Sequence, residues 1–368
     1  MTTHISGANS FDQIRGSLLG GAVGDALGAP VEFMTLTEIK AKFGPAGVTD
    51  YAPAYGRLGA ITDDTQMTLF TAEGMLRSYV RAKLRGICAI PTVVCYAYLR
   101  WLLTQGITPR NPTLHVHMNG WLWTEKVLHK QRAPGNTCIS ALMALERASS
   151  DRAENDSKGA GGIMRVAPVA MMFAGQSDRE DEVFTIGKET AWLTHGHPTG
   201  HLSAGAFAVI LHALLCDHSL ESGIERARMC LSAEANCAEA IAAIDLSLSL
   251  AKSEPNPERA LARIGGAWVA DEALAAAIYC TLRAADFANG VRMAVNHDGD
   301  SDTTGSLTGQ LLGAILGEHS IPEPWLDALD AREVIAQLAN DLCEYRNWKL
   351  DDSGDDAERV IEERYPGG

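Results

Sequence analysis

The sequence predicts an all-α fold. Apolar residues recur every three or four positions in at least six segments, which is the period of an amphipathic helix, whereas the alternating pattern of a β-strand is nearly absent. Alanine is abundant, and clusters of β-branched and aromatic residues are rare, which also favours helices over sheets. The six segments are residues 66–80, 91–104, 138–148, 202–215, 238–250 and 271–284. The loops between the helices are then expected to carry the chemistry.

Two further helices are predicted near the ends of the chain, where glycines stand four residues apart. One stripe is Gly16, Gly20, Gly24 and Gly28, and the other is Gly305, Gly309, Gly313 and Gly317. A glycine within a helix costs roughly 0.5 to 1 kcal/mol relative to alanine, so close approach of another backbone is the expected compensation. We predict that the two stripes face each other or a common neighbour. Charged residues interrupt or bound both runs, which argues against membrane helices.

The composition predicts one globular domain. The chain has 368 residues, 46% of them hydrophobic and 21% charged, and no linker or low-complexity tract divides it. We therefore predict a single domain over residues 1–368. Residues 106–136 are rich in proline, histidine and tryptophan, and we interpret them as an insertion or lid.

Charge and cysteine usage limit the partners and the compartment. The formal net charge of −15, without clusters of lysine and arginine, argues against nucleic-acid binding. No run of 18 apolar residues occurs, so no membrane span is expected. The eight cysteines include no CxxC pair and most have apolar neighbours, which is typical of reduced thiols in a cytoplasmic protein.

Two short acidic segments lie far apart in the chain. They consist of Thr62, Asp63, Asp64 and Thr65, and of Asp298, Asp300, Asp302 and Thr303. One of Asp63 and Asp64 is expected to cap the helix that begins near Gln66. Asp302 or Thr303 is expected to cap the helix of the second glycine stripe. The remaining carboxylates have no such role and repel one another unless a cation lies between them, so a site for hard divalent cations is predicted.

Other metals fit these residues less well. A calcium-binding EF-hand loop that starts at Asp298 needs glycine at its sixth position and an acid at its twelfth, but Thr303 and Gly309 occupy those positions. The histidines lack a zinc-ligand spacing such as HExxH; those considered are His115, His117, His195, His197 and His201. Carboxylates and threonine hydroxyls favour Mg²⁺ or Mn²⁺. Their number suffices for a pair of ions about 3.5 to 4 Å apart.

A glycine-rich turn lies between the acidic segments, at residues 157–165 (SKGAGGIMR). Its glycines allow backbone N–H groups to approach an anion, and Arg165 would add positive charge. The spacing matches neither the Walker A motif nor GxGxxG, so the turn by itself is equally compatible with an ordinary loop.

Taken together, five separated motifs resemble the ADP-ribosylglycohydrolase family, which includes the dinitrogenase reductase-activating glycohydrolases and the ADP-ribosylarginine hydrolases. In the family's order, the motifs are residues 20–33 (GGAVGDALGAPVEF), 61–69 (ITDDTQMTL), 157–168 (SKGAGGIMRVAP), 265–275 (GGAWVADEALA) and 296–317. The resemblance implies a single-domain orthogonal helical bundle with a central cleft that holds two Mg²⁺ or Mn²⁺ ions.

The resemblance also implies roles for individual residues. The metal ligands would be Thr62, Asp63, Asp64, Asp300, Asp302 and Thr303. Glu32 matches the family's mobile acidic residue beside the metals, so the catalytic residues would be Glu32, Asp63 and Asp302. Asp298 stands outside the ligand pattern, and we expect it to support the ligands or to begin the helix.

The glycine-rich turn would, by the same resemblance, bind the diphosphate of ADP-ribose. The residues assigned to substrate binding are Ser157, Gly159, Gly161, Gly162, Met164, Arg165 and His195. Ala160 stands where relatives that act on ADP-ribosylserine commonly have asparagine. The arginine-specific branch is therefore the closer resemblance.

The implied function is a metal-dependent hydrolase that removes ADP-ribose from modified proteins by cleaving the N-glycosidic bond to arginine. Two alternatives stay open. In one, the enzyme cleaves ADP-ribose from oxygen, in serine or an acetyl ester. In the other, the chain is an immunity protein that neutralises an ADP-ribosyltransferase toxin by binding it as well as by reversing its modification. All six ligand positions persist here, which favours an active enzyme.

Overall fold

The computed structural model describes residues 6–148, 152–350, 354 and 356–367, and within these ranges the chain forms α-helices without a β-strand. In the first half of the chain the helices are α1 (Ser6–Gly28), α2 (Leu36–Phe43), α3 (Asp63–Arg85), α4 (Ile90–Thr104), α5 (Trp121–Thr124), α6 (Asn136–Met143), α7 (Ala167–Met172) and α8 (Glu180–Trp192). The others are α9 (Pro198–Leu214), α10 (Leu220–Ser232), α11 (Ala238–Ser253), α12 (Pro257–Ile264), α13 (Ala270–Arg283), α14 (Phe287–Val295), α15 (Ser301–Leu316), α16 (Glu323–Ala328), α17 (Arg332–Glu344) and α18 (Asp356–Arg364). The predicted single all-α domain is confirmed.

The six helices predicted from periodicity are present as α3, α4, α6, α9, α11 and α13. Two of them differ clearly in length: α3 extends beyond both bounds of its predicted segment, to Asp63–Arg85, and α6 ends at Met143 rather than near residue 148. The carbonyls of this region are hydrogen-bonded elsewhere: the Arg110 amide donates to the Met143 carbonyl at 2.9 Å, and the Asn111 side chain donates to the Glu146 carbonyl at 2.5 Å. These bonds from the preceding segment replace further helical turns.

The two glycine stripes face each other along an antiparallel pair formed by α1 and α15. A Cβ atom added to Gly24 would lie 1.9 Å from the carbonyl oxygen of Gly305, and one added to Gly28 would lie 2.4 Å from the Cα atom of Asp302. Gly16 and Gly20 oppose Gly313 and Gly309 in the same way. The predicted contact between the stripes is therefore confirmed. It places the C-terminal end of α1 against the N-terminal end of α15.

The remaining helices enclose this pair. α3 packs on α4, α9 lies between α8 and α10, and α13 contacts α11, α14 and α15. One large set of buried apolar side chains runs through the described part of the chain, and a smaller set lies between α11, α12 and α13. As a result, the N-terminal ends of α3 and α15 lie inside the protein.

Within the residues that the structure describes, no helix is both long enough and apolar enough to cross a bilayer. The cytoplasmic location expected from the cysteine pattern stays a prediction.

Candidate metal and substrate site

The N-terminal ends of α3 and α15 meet around a buried carboxyl group of α1, that of Asp25. Its two oxygens accept hydrogen bonds from the Thr62 amide at 3.0 and 3.1 Å, and one of them also accepts from the amide of Thr65, at 3.1 Å, and from its hydroxyl. Burial, followed by the charge of Asp302, raises the pKa of Asp25 to about 7. Sequence reasoning missed Asp25. The available signal was an acidic residue within the apolar stretch of a glycine-striped helix.

The N-caps of both helices are not the residues that the sequence suggested. Thr62 caps α3, since its hydroxyl accepts from the Asp64 amide at 3.3 Å, and Asp300 caps α15, since its carboxylate accepts from the Thr303 amide at 3.4 Å. Both caps have non-helical backbone angles, as a cap requires, whereas Asp63, Asp64 and Asp302 lie within the first helical turn. The predicted caps were wrong, and all three first-turn carboxyls remain available for other contacts.

The two acidic segments lie together, although more than 230 positions separate them in the chain. All five carboxyls proposed for the site are buried: those of Glu32, Asp63, Asp64, Asp300 and Asp302. Burial is the main cause of a raised pKa in each of them, and the charge of Asp302 is the next cause in Glu32, Asp63, Asp64 and Asp300. For Glu32 the pKa rises to about 10. Asp300, Thr303 and then Thr62 partly oppose the rise in the pKa of Asp302, so the Thr62 side chain of the first segment lies close to Asp302 of the second.

In the part of the chain that the structure describes, no cationic side chain balances the charge of this cluster. Among the described residues, no ion pair includes Asp25 or any of the five carboxyls. Arg132 comes close, because its carbonyl accepts from the Asp63 amide at 3.1 Å, but its guanidinium donates to Asp330 and to the Ile61 carbonyl. Glu32 Oε2 and Asp64 Oδ1 are buried without a hydrogen-bond partner.

The donor chemistry of the cluster fits a hard divalent cation, which prefers carboxylate and hydroxyl oxygens. Two buried carboxylate oxygens without partners and the mutual repulsion of the acids support that fit. In the described part of the chain, however, no three His, Cys, Asp or Glu side chains are arranged so that they could hold an ion as they stand. The predicted pair of ions stays a prediction.

Glu32 lies in the turn that follows α1, and two contacts fix this turn against the second acidic segment. The Phe33 ring stacks on Trp268 with 5.8 Å between ring centroids, and the Leu36 amide donates to Asp298 Oδ1 at 2.5 Å. Asp298 is exposed and acts at the start of α2. Its expected place outside the ligand set agrees with this contact.

The glycine-rich turn is joined to the acidic cluster by the segment that precedes α13. The Ala160 amide donates to the Trp268 carbonyl at 3.1 Å, and the Asp300 amide donates to the Gly266 carbonyl at 2.8 Å. On its other side, the turn contacts α3, because the Thr68 hydroxyl donates to the Met164 carbonyl at 3.3 Å. The motifs at residues 61–69, 157–168, 265–275 and 296–317 therefore meet around the motif at residues 20–33, which carries Asp25.

The residues assigned to substrate binding fall into two groups. Ser157, Gly159 and Gly161 are partly exposed, whereas Gly162, Met164, Arg165 and His195 are buried. The exposed group presents backbone and hydroxyl groups at the turn. The buried group lies behind it, where direct contact with a ligand requires movement of the turn.

Arg165 supports the turn from inside the protein. Its guanidinium donates to the Thr194 hydroxyl at 2.6 Å and to the Thr190 carbonyl at 3.3 Å, and it lies 4.2 Å from the centre of the Tyr98 ring. His195 lies beside it, and burial, followed by the charges of Arg165 and then His201, lowers the pKa of His195 to about 3. Both residues hold the turn in place from behind.

Only one end of the segment 106–136 borders the acidic cluster. The Gly135 amide donates to Asp63 Oδ2 at 3.2 Å. In the middle of the segment, Asn119 accepts from Arg77, which lies in the C-terminal half of α3. Whether this segment acts as a lid stays a prediction.

The chain is similar to known hydrolases of ADP-ribose linkages. The family model described as ADP-ribosylglycohydrolase matches residues 6–351. The chain is 26% identical to the ADP-ribosyl-dinitrogen reductase glycohydrolase of Rhodospirillum rubrum, with 89% of this chain and 94% of that protein covered. It is 25% identical to the ADP-ribosylarginine hydrolase Tri1 of Serratia proteamaculans (strain 568), with 91% and 80% covered. A solved structure described as an ADP-ribosylglycohydrolase-related protein complex has a TM-score of 0.66 at 27% identity and covers 94% of this chain and 99% of its own.

Proposed function

The chain belongs to the ADP-ribosylglycohydrolase family, and from this membership we propose that it is a hydrolase that removes ADP-ribose from modified arginine side chains of proteins. The observation that carries the proposal is the meeting of Thr62–Asp64 with Asp300–Thr303 beside the glycine-rich turn. The names of the Rhodospirillum and Serratia relatives support this activity. Ala160 in the turn favours arginine over serine as the linked residue.

The proposed activity depends on divalent cations. The ligands would be the six residues of the two acidic segments: Thr62, Asp63, Asp64, Asp300, Asp302 and Thr303. Two Mg²⁺ or Mn²⁺ ions, when bound, would neutralise these carboxylates and polarise the oxygens of the ribose and of water. Asp25 would not touch the ions; by accepting from Thr62 and Thr65, it fixes the N-terminal end of α3 beside α15.

The remaining roles follow from where the side chains lie. The exposed amides of the turn would bind the diphosphate, because backbone N–H groups donate to oxyanions and glycines allow an anion to approach closely. Breaking the bond between the ribose and the guanidine nitrogen leaves positive charge on the sugar, and the leaving nitrogen must gain a proton. Glu32 Oε2 has no partner and stands next to the exposed Phe33, so we assign it the transfer of that proton. Asp63 and Asp302 would orient the attacking water.

Release of ADP-ribose from defined substrates tests the proposal. The protein is incubated with one protein ADP-ribosylated on arginine and one ADP-ribosylated on serine, each with Mg²⁺, with Mn²⁺ or with EDTA, and the free ADP-ribose is measured. We expect release from arginine in the presence of either cation and none in EDTA. Equal release in EDTA would contradict the role of the cations, and release from serine alone would move the proposal to the O-linked bond.

A matched pair of variants separates the site from general effects of losing a charge. Asp302→Asn removes a buried carboxylate of the cluster, and we expect at least a hundredfold loss of kcat, in line with the loss of one preorganised charged group from an active site. Asp286→Asn makes the same change at an exposed N-cap of α14, where asparagine caps equally well. This control should keep full activity, and equal activity of the two variants would contradict the proposed site.

A further inference from the structure

A cavity borders the C-terminal half of α3, away from the acidic cluster at its N-terminal end. It has a volume of about 480 Å³, and its lining includes Arg77, Arg81 and Arg100. Fourteen residues of α3 separate Asp63 from Arg77, which corresponds to roughly 20 Å along the helix axis. The cavity is therefore separate from the proposed catalytic site and independent of the proposed function.

Positive charge dominates this cavity although the whole chain carries a formal charge of −15. Among the described residues, no carboxylate lines the cavity. Glu73, on the previous turn of α3, pairs with two of the arginines: Arg77 donates to it at 2.7 Å and Arg100 at 2.8 Å. Arg81 donates to the Gly367 carbonyl at 3.1 Å, which is a neutral partner. Three guanidinium groups therefore face one buried carboxylate.

One of the arginines also has an unused donor. Arg77 is buried, and its Nε atom has no hydrogen-bond partner. Burial, followed in the same direction by repulsion from Arg100, lowers the pKa of Arg77, while Glu73 opposes that change. An anion in the cavity would relieve this repulsion, and it would accept from Arg81, which is the partly exposed arginine of the lining, since guanidinium groups bind oxyanions through paired N–H groups.

The opposite part of the lining is apolar. Ile87 is 72% exposed at the rim, and Val93 and Tyr96 are partly buried in the wall. The volume lies within the range of sites for small molecules, roughly 300 to 1,000 Å³. We propose that this cavity binds a small organic anion, in which a carboxylate or phosphate group contacts the arginines and an apolar or aromatic body contacts the wall.

Protection of Cys88 locates binding in this cavity. Cys88 lines the cavity and is partly exposed, so an occupant should slow its reaction with N-ethylmaleimide, followed by peptide mass spectrometry. Cys237, at the start of α11, serves as the reference in the same sample. The probes are phenyl phosphate and benzoate, which share a ring, inorganic phosphate, which lacks it, and benzyl alcohol, which lacks the charge. The protein is used with Mg²⁺ present.

We expect phenyl phosphate or benzoate to slow modification of Cys88 at least fivefold without protecting Cys237. The more protective of the two identifies the oxyanion. Inorganic phosphate should protect only at higher concentration, because it makes no apolar contact. Equal protection by benzyl alcohol would contradict an anion site, and no protection of Cys88 by either aromatic anion would overturn the proposal.

Matched arginine variants test the charge. Arg81→Ala removes a guanidinium whose partner is a carbonyl, and it should raise the concentration for half protection roughly tenfold, as expected for a lost charge-assisted hydrogen bond. Arg85→Ala removes the same charge one turn further along α3, where the side chain is exposed and outside the lining. It should change nothing.

A third variant keeps the arginines and fills the space. Ala89→Trp, at the exposed N-cap of α4, adds a large ring to the cavity wall. It should abolish protection of Cys88 while leaving the melting temperature within a few degrees of the parent. Equal affinity in Arg81→Ala and Arg85→Ala, or full binding in Ala89→Trp, would overturn the proposal.

Discussion

The two ends of α3 both bury charge, but they differ in what balances it. Near its C-terminal half, Glu73 is fully buried and accepts from Arg77 at 2.7 Å and from Arg100 at 2.8 Å. At its N-terminal end, Asp63 and Asp64 are almost as buried, yet their nearest charged neighbours are other carboxyls. One end is neutralised by the chain itself, and the other is not.

This difference shows that burial of an acid does not by itself indicate a functional site. Removing a charge from water costs several kcal/mol, and an internal partner must offset that cost. The N-terminal ends of α3 and α15 offset only part of it, because a helix dipole contributes about 0.3 to 1 kcal/mol per charge. The remainder has to come from protons or from cations bound from solution. The acidic end is therefore the end at which we propose that cations bind.

The largest expected effect comes from breaking the balanced end. Glu73→Gln leaves Arg77 and Arg100 buried without their carboxylate, so we expect the free energy of unfolding to fall by about 3 to 5 kcal/mol. Urea denaturation measures this loss. Glu258→Gln is the control, because Glu258 pairs with Lys40 at the surface and should cost less than about 1 kcal/mol. Equal costs for the two variants would show that the buried arginines do not depend on Glu73.

A smaller effect is expected at the seam, the contact between the two glycine stripes of α1 and α15. Gly24→Ala places a Cβ atom against the Gly305 carbonyl, and backbone cannot rotate away as a side chain can. We expect a loss of about 2 to 3 kcal/mol by urea denaturation, even though alanine favours a helix. Gly21→Ala, on the same helix, meets the Gln310 side chain rather than backbone and should cost less. The seam would be dispensable if both variants were equally stable.

Much of this architecture was predictable because it depends on local patterns. The helical periods identified six helices, and the spacing of four between glycines identified the seam and its facing partner. Those patterns bring the C-terminal end of α1, which is followed by Glu32, beside the second acidic segment at the start of α15. Each of these predictions needed only the spacing of residues within one segment.

The details that sequence reasoning missed depend on contacts between segments. Asp25 reads as a polar interruption in an apolar helix, and its role becomes clear only from its bonds to Thr62 and Thr65. The predicted contact of Arg165 with a substrate phosphate stays a prediction, and its hydrogen bond to Thr194 and its position over the Tyr98 ring were not visible in the sequence. The choice of N-cap also depended on backbone angles that the sequence does not state.

The smallest expected change in stability is the one that tests the comparison most directly. Asp64→Asn removes one carboxyl from the unbalanced end. Burial and neighbouring acids raise the pKa of Asp64, so this side chain favours the folded state when protonated, and that stabilisation is lost as the pH rises. At pH 8 in EDTA, the variant should therefore be more stable than the parent by roughly 1 to 2 kcal/mol. Mg²⁺ should stabilise the parent and not the variant.

Asp298→Asn is the matched control for this last change. Asp298 is exposed, and asparagine can still accept from the Leu36 amide, so both its stability in EDTA and its response to Mg²⁺ should equal those of the parent. Thermal unfolding of the three proteins with and without Mg²⁺ measures both quantities. Replacing a buried carboxylate by its amide would then destabilise the protein at Glu73 and stabilise it at Asp64. The reason is that only at Asp64 does the balancing charge come from outside the chain. A loss of stability in Asp64→Asn without Mg²⁺ would contradict that account of the acidic end.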